Sequence, residues 1–279
     1  MLNHFRKPQL FRNNLLVIIT MLFTLSCAQT KENNHQTLKE IDVLPEYVFS
    51  PAADLSTQVN QTLALARSQH KKALLVLGAQ WCHDSRGLAK NFSTPQMQQI
   101  LNEHYQVLFI DVGYLEKGFN IVKQFNLPIY YGTPTVMVID PNASQVINIA
   151  NMKKWLSADK VPLTEYVEDF TQIASKSIAE DELNPKMLRY LNQINAFEQQ
   201  QANRLTAAYG MVGPLLKQYM NSDKKEASAE FTNKWEQVYA LRSRVQGDVQ
   251  TLIAQARQNV STGSLAKLTF PTYPAFTWE

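Results

Sequence analysis

The chain has 279 residues, 45% of them hydrophobic and 18% charged, with a formal net charge of +3. This composition excludes a chain disordered throughout and allows one or two domains with a sizeable core. The positive excess comes from Arg6, Lys7 and Arg12; beyond residue 26 basic and acidic side chains balance, and without a basic run nothing points to nucleic acid.

In chain order, residues 1–28 read as an export signal: the three basic residues precede an apolar run from Leu15 to Leu25. That run is shorter than the ~20 residues a membrane-spanning helix requires. Ser26-Cys27 ends it as a lipoprotein signal would, which favours a lipid anchor on Cys27 and membrane attachment through it; Ser26 and Ala28 also suit ordinary cleavage after Ala28. The expected location is the periplasm or cell envelope. Residues 29–50 are mainly polar, without periodicity, as in a tether.

Residues 51–177 alternate helical and strand patterns. Asp54 suits a helix cap, followed by Val59, Leu63 and Ala66 at helical spacing and basic residues near position 70. Ala73–Leu77 is a continuous apolar run of strand length, as for a strand buried on both faces. From Cys82 to about Tyr105 the pattern is helical, with a break at Ser93-Thr94-Pro95. A strand is expected over Gln106–Val112, a short helix around Phe119–Phe125, and a hairpin from Val136–Asp140 and Gln145–Ile149 across a Pro141-Asn142 turn. Leu163, Val167, Phe170 and Ile173 mark a closing helix.

Residues 178–279 lack strand patterns. One amphipathic stretch opens at Asn184-Pro185, with Leu188, Leu191, Ile194 and Phe197 inward; another carries Phe231, Trp235, Val238, Val245, Val249 and Leu252. Gly210, Gly213 and Pro214 are expected to mark a kink or turn between them. A helical hairpin or small bundle with an aromatic tail results.

Two loops carry the chemistry: Gln80-Trp81-Cys82-His83-Asp84-Ser85 after the first strand, and Gly132-Thr133-Pro134-Thr135 before a later one. In this order, between these elements, they resemble the thioredoxin-like superfamily over roughly residues 52–176. The resemblance implies an α/β thioredoxin-like fold, a central mixed sheet flanked by helices, with residues 178–279 as a C-terminal helical extension. It also implies that Pro134 is cis, that Thr133 offers backbone groups to a substrate strand, and that Trp81 shields the sulfur. A cysteine in the first turn of a helix lies against unpaired N–H groups and the positive dipole end, which favours the thiolate. His83, if protonated, adds to this, Ser85 is expected to donate a hydrogen bond to the sulfur, and Asp84 opposes. Dithiol members of the family have a second cysteine where Ser85 stands, and thioredoxin has a buried acid where Val76 stands; a dithiol cycle within this chain is therefore excluded.

These readings assign monothiol thiol–disulfide exchange to Cys82, acting on protein thiols or disulfides of the envelope, with Ser85 and His83 in catalytic roles and Trp81, Thr133 and Pro134 on the substrate side. A non-catalytic binding or assembly module on the same fold is the alternative. Peroxide chemistry would need an arginine at the sulfur, and Arg86 is the nearest candidate. No cofactor is expected, and no metal, because Cys82, His83 and Asp84 are adjacent and cannot all face one ion.

Overall fold

A computed structural model describes residues 46–176, 184–223, 226–264 and 266–279; the export signal, Cys27 and all but the end of the tether lie outside the described residues. Helix α1 (Leu55–Ser68) starts where the Asp54 carboxylate accepts the Thr57 N–H at 2.9 Å, and it buries Val59, Leu63 and Ala66. Strand β1 (Lys72–Gly78) follows and is buried in every residue but its first. It pairs in parallel with β2 (Tyr105–Asp111) and antiparallel with β3 (Thr135–Asp140), and β3 carries β4 (Gln145–Val146). The mixed sheet has the order β2-β1-β3-β4.

Because side chains alternate across a strand, β1 sends Leu74 and Val76 to one face and Leu75 and Leu77 to the other. The first face packs on α2 (His83–Phe92), α3 (Pro95–His104), α5 (Leu163–Ala174) and a 3₁₀ segment, Ile149–Lys160, broken at Ser157. The second packs on α1 and α4 (Phe119–Gln124), in one core with the C-terminal helices α6 (Pro185–Asn221) and α7 (Ala229–Ser261). Burial on both faces explains why β1 reads as an unbroken apolar run. Each of its leucines contributes roughly 1.5–3 kcal/mol on burial.

Three expectations change. The second hairpin strand stops at Val146, because the buried Asn148 side chain takes over the pairing: its Oδ1 accepts the Val138 N–H at 2.7 Å and its Nδ2 donates to the Val136 carbonyl at 3.0 Å. The chain then enters the 3₁₀ segment, which sinks Met152, Trp155 and Ala158. Finally, α6 continues as helix through Gly210, Gly213 and Pro214, and the turn falls after Asn221. An interior proline costs ~3 kcal/mol, and the burial of Tyr209, Val212 and Leu216 around it offsets that. Leu188, expected inward, is exposed, and Met187 is buried in its place.

The aromatic tail packs on the hairpin. Phe276 is buried, the Tyr273 hydroxyl donates to Asp248 at 2.6 Å, and Arg204 pairs with Glu279 at 2.8 Å. Among the described residues no helix is long and apolar enough to cross a membrane.

Candidate functional site

The site is assembled where β1 ends. Cys82 immediately precedes α2 with extended backbone (φ −83°, ψ 123°), and its carbonyl accepts the Arg86 N–H at 3.1 Å, opening the helix. The sulfur therefore stands at the helix N-terminus, 8% exposed as a residue. Its Sγ donates to the Thr133 carbonyl at 3.2 Å, and the Thr133–Pro134 peptide is cis. Only the thiol can donate this bond; forming the nucleophile requires giving it up. The two loops singled out in the sequence thus meet at one hydrogen bond.

Trp81 turns its indole N–H to the Gly113 carbonyl (2.7 Å) and stacks on Tyr114 with centroids 6.5 Å apart. Thr133 is buried, and the loop is braced by the Thr135 hydroxyl donating to the Gly132 carbonyl at 2.7 Å. No hydrogen bond joins Ser85 to the sulfur, whose one partner among the described residues is the Thr133 carbonyl. Fully buried, the Ser85 Oγ accepts the Ala79 N–H at 3.4 Å, so this hydroxyl holds the turn before α2. Arg86 is on the exposed side of α2 and donates to the Gln80 carbonyl at 2.6 Å.

His83 is exposed, and its Nε2 lies 3.2 Å from Asp159 and 3.4 Å from Asp84. Asp84 is buried, and its Oδ1 accepts the Asp159 backbone N–H at 3.3 Å. Burial, reinforced by a hydrogen bond between the Asp84 and Asp159 carboxyls and opposed by the Asp159 backbone N–H, pushes the Asp84 carboxyl up to about 6, while the carboxyl–carboxyl bond holds Asp159 below the usual carboxylate range. The two carboxyl pKa values are thus pushed apart, with the His83 Nε2 beside both. The ligating atoms of these three residues lie within 4.8 Å of one another. Cys82 is not in this group: His83 and Asp84 are joined instead by Asp159, 75 positions downstream of Asp84, which no local pattern signals.

The C-terminal hairpin reaches both walls of the site. From α6, the buried Tyr209 hydroxyl donates to the carbonyls of Tyr131 (2.9 Å) and Tyr130 (3.3 Å), just before the Thr133–Pro134 loop. Tyr131 donates to Glu198 at 2.6 Å, and burial raises the Glu198 pKa. Tyr130 and Tyr131 are therefore core and anchor residues. One turn after Tyr209, Gly213 packs against the Tyr114 carbonyl, beside the Trp81 wall. None of these hairpin contacts is signalled in the sequence, where Tyr209 and Gly213 read as ordinary helix and turn residues.

Sheet order, Cys82 placement and the cis-proline loop together define a thioredoxin-like domain, and residues 54–141 match a family model described as thioredoxin-like. Residues 54–141 are thus thioredoxin-like in sequence and in fold. Among solved structures the chain is similar to the disulphide isomerase from Xylella fastidiosa Temecula1, at 29% identity over 46% of this chain and 96% of that one, with a TM-score of 0.43. No curated protein matches.

Proposed function

We propose that this chain is an exported protein of the cell envelope, held by a lipid on Cys27, that carries out monothiol thiol–disulfide exchange through Cys82. The observation that carries the reading is the Cys82 sulfur at the N-terminus of α2, 3.2 Å from the Thr133 carbonyl. A substrate strand laid along the Thr133–Pro134 loop would bring its disulfide to that sulfur.

In the first step the Cys82 thiolate attacks one sulfur of a substrate disulfide. A bond forms between Sγ and that sulfur, the substrate S–S bond breaks, and the departing sulfur leaves as a thiolate that takes up a proton. Resolution needs a second thiolate to attack the mixed disulfide and return Cys82 to its reduced form. Ser85 has no thiol and is tied to Ala79, so the resolving group comes from outside: a further thiol of the substrate, giving isomerisation without net electron transfer, or two thiols of a separate reductant, the first attacking the Cys82 sulfur and releasing the reduced substrate, the second freeing Cys82 as the two reductant sulfurs join in a disulfide, giving net reduction.

A second reading, a binding module with an unused thiol, is favoured by one observation: Cys82 is buried and its sulfur is bonded as a thiol. Replacing Cys82 by serine separates the two. Under exchange, the wild-type chain captures envelope proteins as adducts that dissolve in reductant, and Cys82→Ser captures none. Equal capture by both chains, without a disulfide, would reject exchange and leave the binding module.

A further inference from the structure

Both walls of the Cys82 site are backed by the C-terminal hairpin, and one charged side chain of that hairpin reaches the cis-proline loop. Arg242 of α7 is half-buried, its guanidinium stacked over Trp235 (4.8 Å to the ring centroid) and Tyr239 (5.5 Å). It faces Gly132, the residue before Thr133: a Cβ built on Gly132 would lie 3.8 Å from an Arg242 Nη and 3.1 Å from Leu156. Behind it sits the Tyr209 hydroxyl, which binds the carbonyls of Tyr130 and Tyr131.

The surroundings leave that charge uncompensated. Among the described residues no carboxylate lies within ion-pair distance of Arg242, whereas Arg204 is paired with Glu279. Two aromatic faces hold the guanidinium in place, so little side-chain freedom remains to be lost when it binds an anion. Partial burial also strengthens its field over that of a solvated lysine. Gly132 is buried, and its lack of a side chain lets Leu156 and the guanidinium close on the loop.

We propose that Arg242 is a specificity-determining residue of the Cys82 site, selecting polypeptides in which carboxylate side chains flank the reactive cysteine. Its role in exchange rests on the reading of Cys82 as nucleophile, and the hairpin becomes part of the substrate site. The carboxylate of a residue next to the substrate cysteine pairs with the guanidinium while the substrate backbone lies along Thr133.

The test uses the purified full-length chain and three peptides of identical length, each with one cysteine activated as a 2-thiopyridyl disulfide and flanked on both sides by Glu, Gln or Lys. Attack by Cys82 forms the peptide–Cys82 disulfide and releases pyridine-2-thione, which is read by absorbance. At low salt the Glu peptide is expected to react about fivefold faster than the Lys peptide, the ratio shrinking as salt screens the pair. In Arg242→Glu the ratio inverts, and in Arg242→Lys it keeps its direction. Because each ratio is taken within one variant, a general loss of activity does not imitate inversion. A wild-type ratio near one, or a ratio unmoved by Arg242→Glu, overturns the inference. If no peptide reacts, the exchange reading falls by itself; cysteine-blocked versions of the peptides, titrated by fluorescence anisotropy into Cys82→Ser, then decide the charge preference. Acidic preference that inverts in the Cys82→Ser, Arg242→Glu double variant upholds Arg242 as the selector, and equal affinity for all three peptides rejects it.

Discussion

Two glycines of α6, three residues apart, should respond oppositely to the same change. At Gly210 a methyl group meets nothing within 4 Å, so Gly210→Ala collects only the helix-propensity gain, about 1 kcal/mol. At Gly213 the methyl carbon would stand 2.5 Å from the Tyr114 carbonyl oxygen, a backbone atom. Relief requires moving helix or loop by roughly 0.5 Å, and overpacking of this kind costs about 1–3 kcal/mol. Set against the same propensity gain, Gly213→Ala should be neutral to destabilising by about 2 kcal/mol. The two variants then differ by about 1–3 kcal/mol in urea unfolding, or by several degrees in Tm at about 2–4 °C per kcal/mol for a chain of this size. Since Tyr114 stacks on Trp81, Gly213→Ala should also speed alkylation of Cys82 in the native chain, and Gly210→Ala should not. Equal stabilisation by both substitutions would refute the close packing of α6 on the Trp81 wall.

Asn148→Ala removes the partner of the Val138 N–H and the Val136 carbonyl, both buried, and should cost about 2–4 kcal/mol in urea unfolding; a cost below about 1 kcal/mol would mean the side chain does not replace the missing strand. The carboxyl pair predicts a slope in stability against pH. With the Asp84 pKa raised to about 6 in the folded state from an ordinary 3.8, the folded chain holds an extra proton between those values, and stability falls as pH rises through that window. Asp159, held below the ordinary value, acts in a separate window, its contribution being lost as pH falls below 3.8. Urea midpoints between pH 4 and 7 should therefore lose their decline towards pH 6 in Asp84→Asn, and an unchanged decline would assign it to other groups.

Much of the domain is legible in the chain because its signals are local. β1 shows itself as an apolar run because both faces are covered, and α1 as Val59, Leu63 and Ala66 behind an Asp54 cap, since periodicity reports which side of an element is buried. The same local grammar announces Cys82 ahead of a helix and Thr133-Pro134 ahead of a strand, and the expected mixed sheet flanked by helices is the one observed. Periodicity is silent about what covers a buried side. The Ser85 hydroxyl turns to Ala79, Asp84 finds Asp159, and Asn148 ends a strand by imitating one, because each choice depends on a backbone group or carboxyl that folding alone brings within 3.5 Å. Gly213 and Pro214 carry turn signals worth a few kcal/mol that burial along α6 overrides. The placement of Tyr209, Glu198 and Arg242 around the cis-proline loop likewise belongs to tertiary structure: the contacts span more than 65 positions, and their energies arise only once the hairpin docks on the sheet. Residue order thus determined the elements and the place of Cys82 among them, and packing decided what surrounds it.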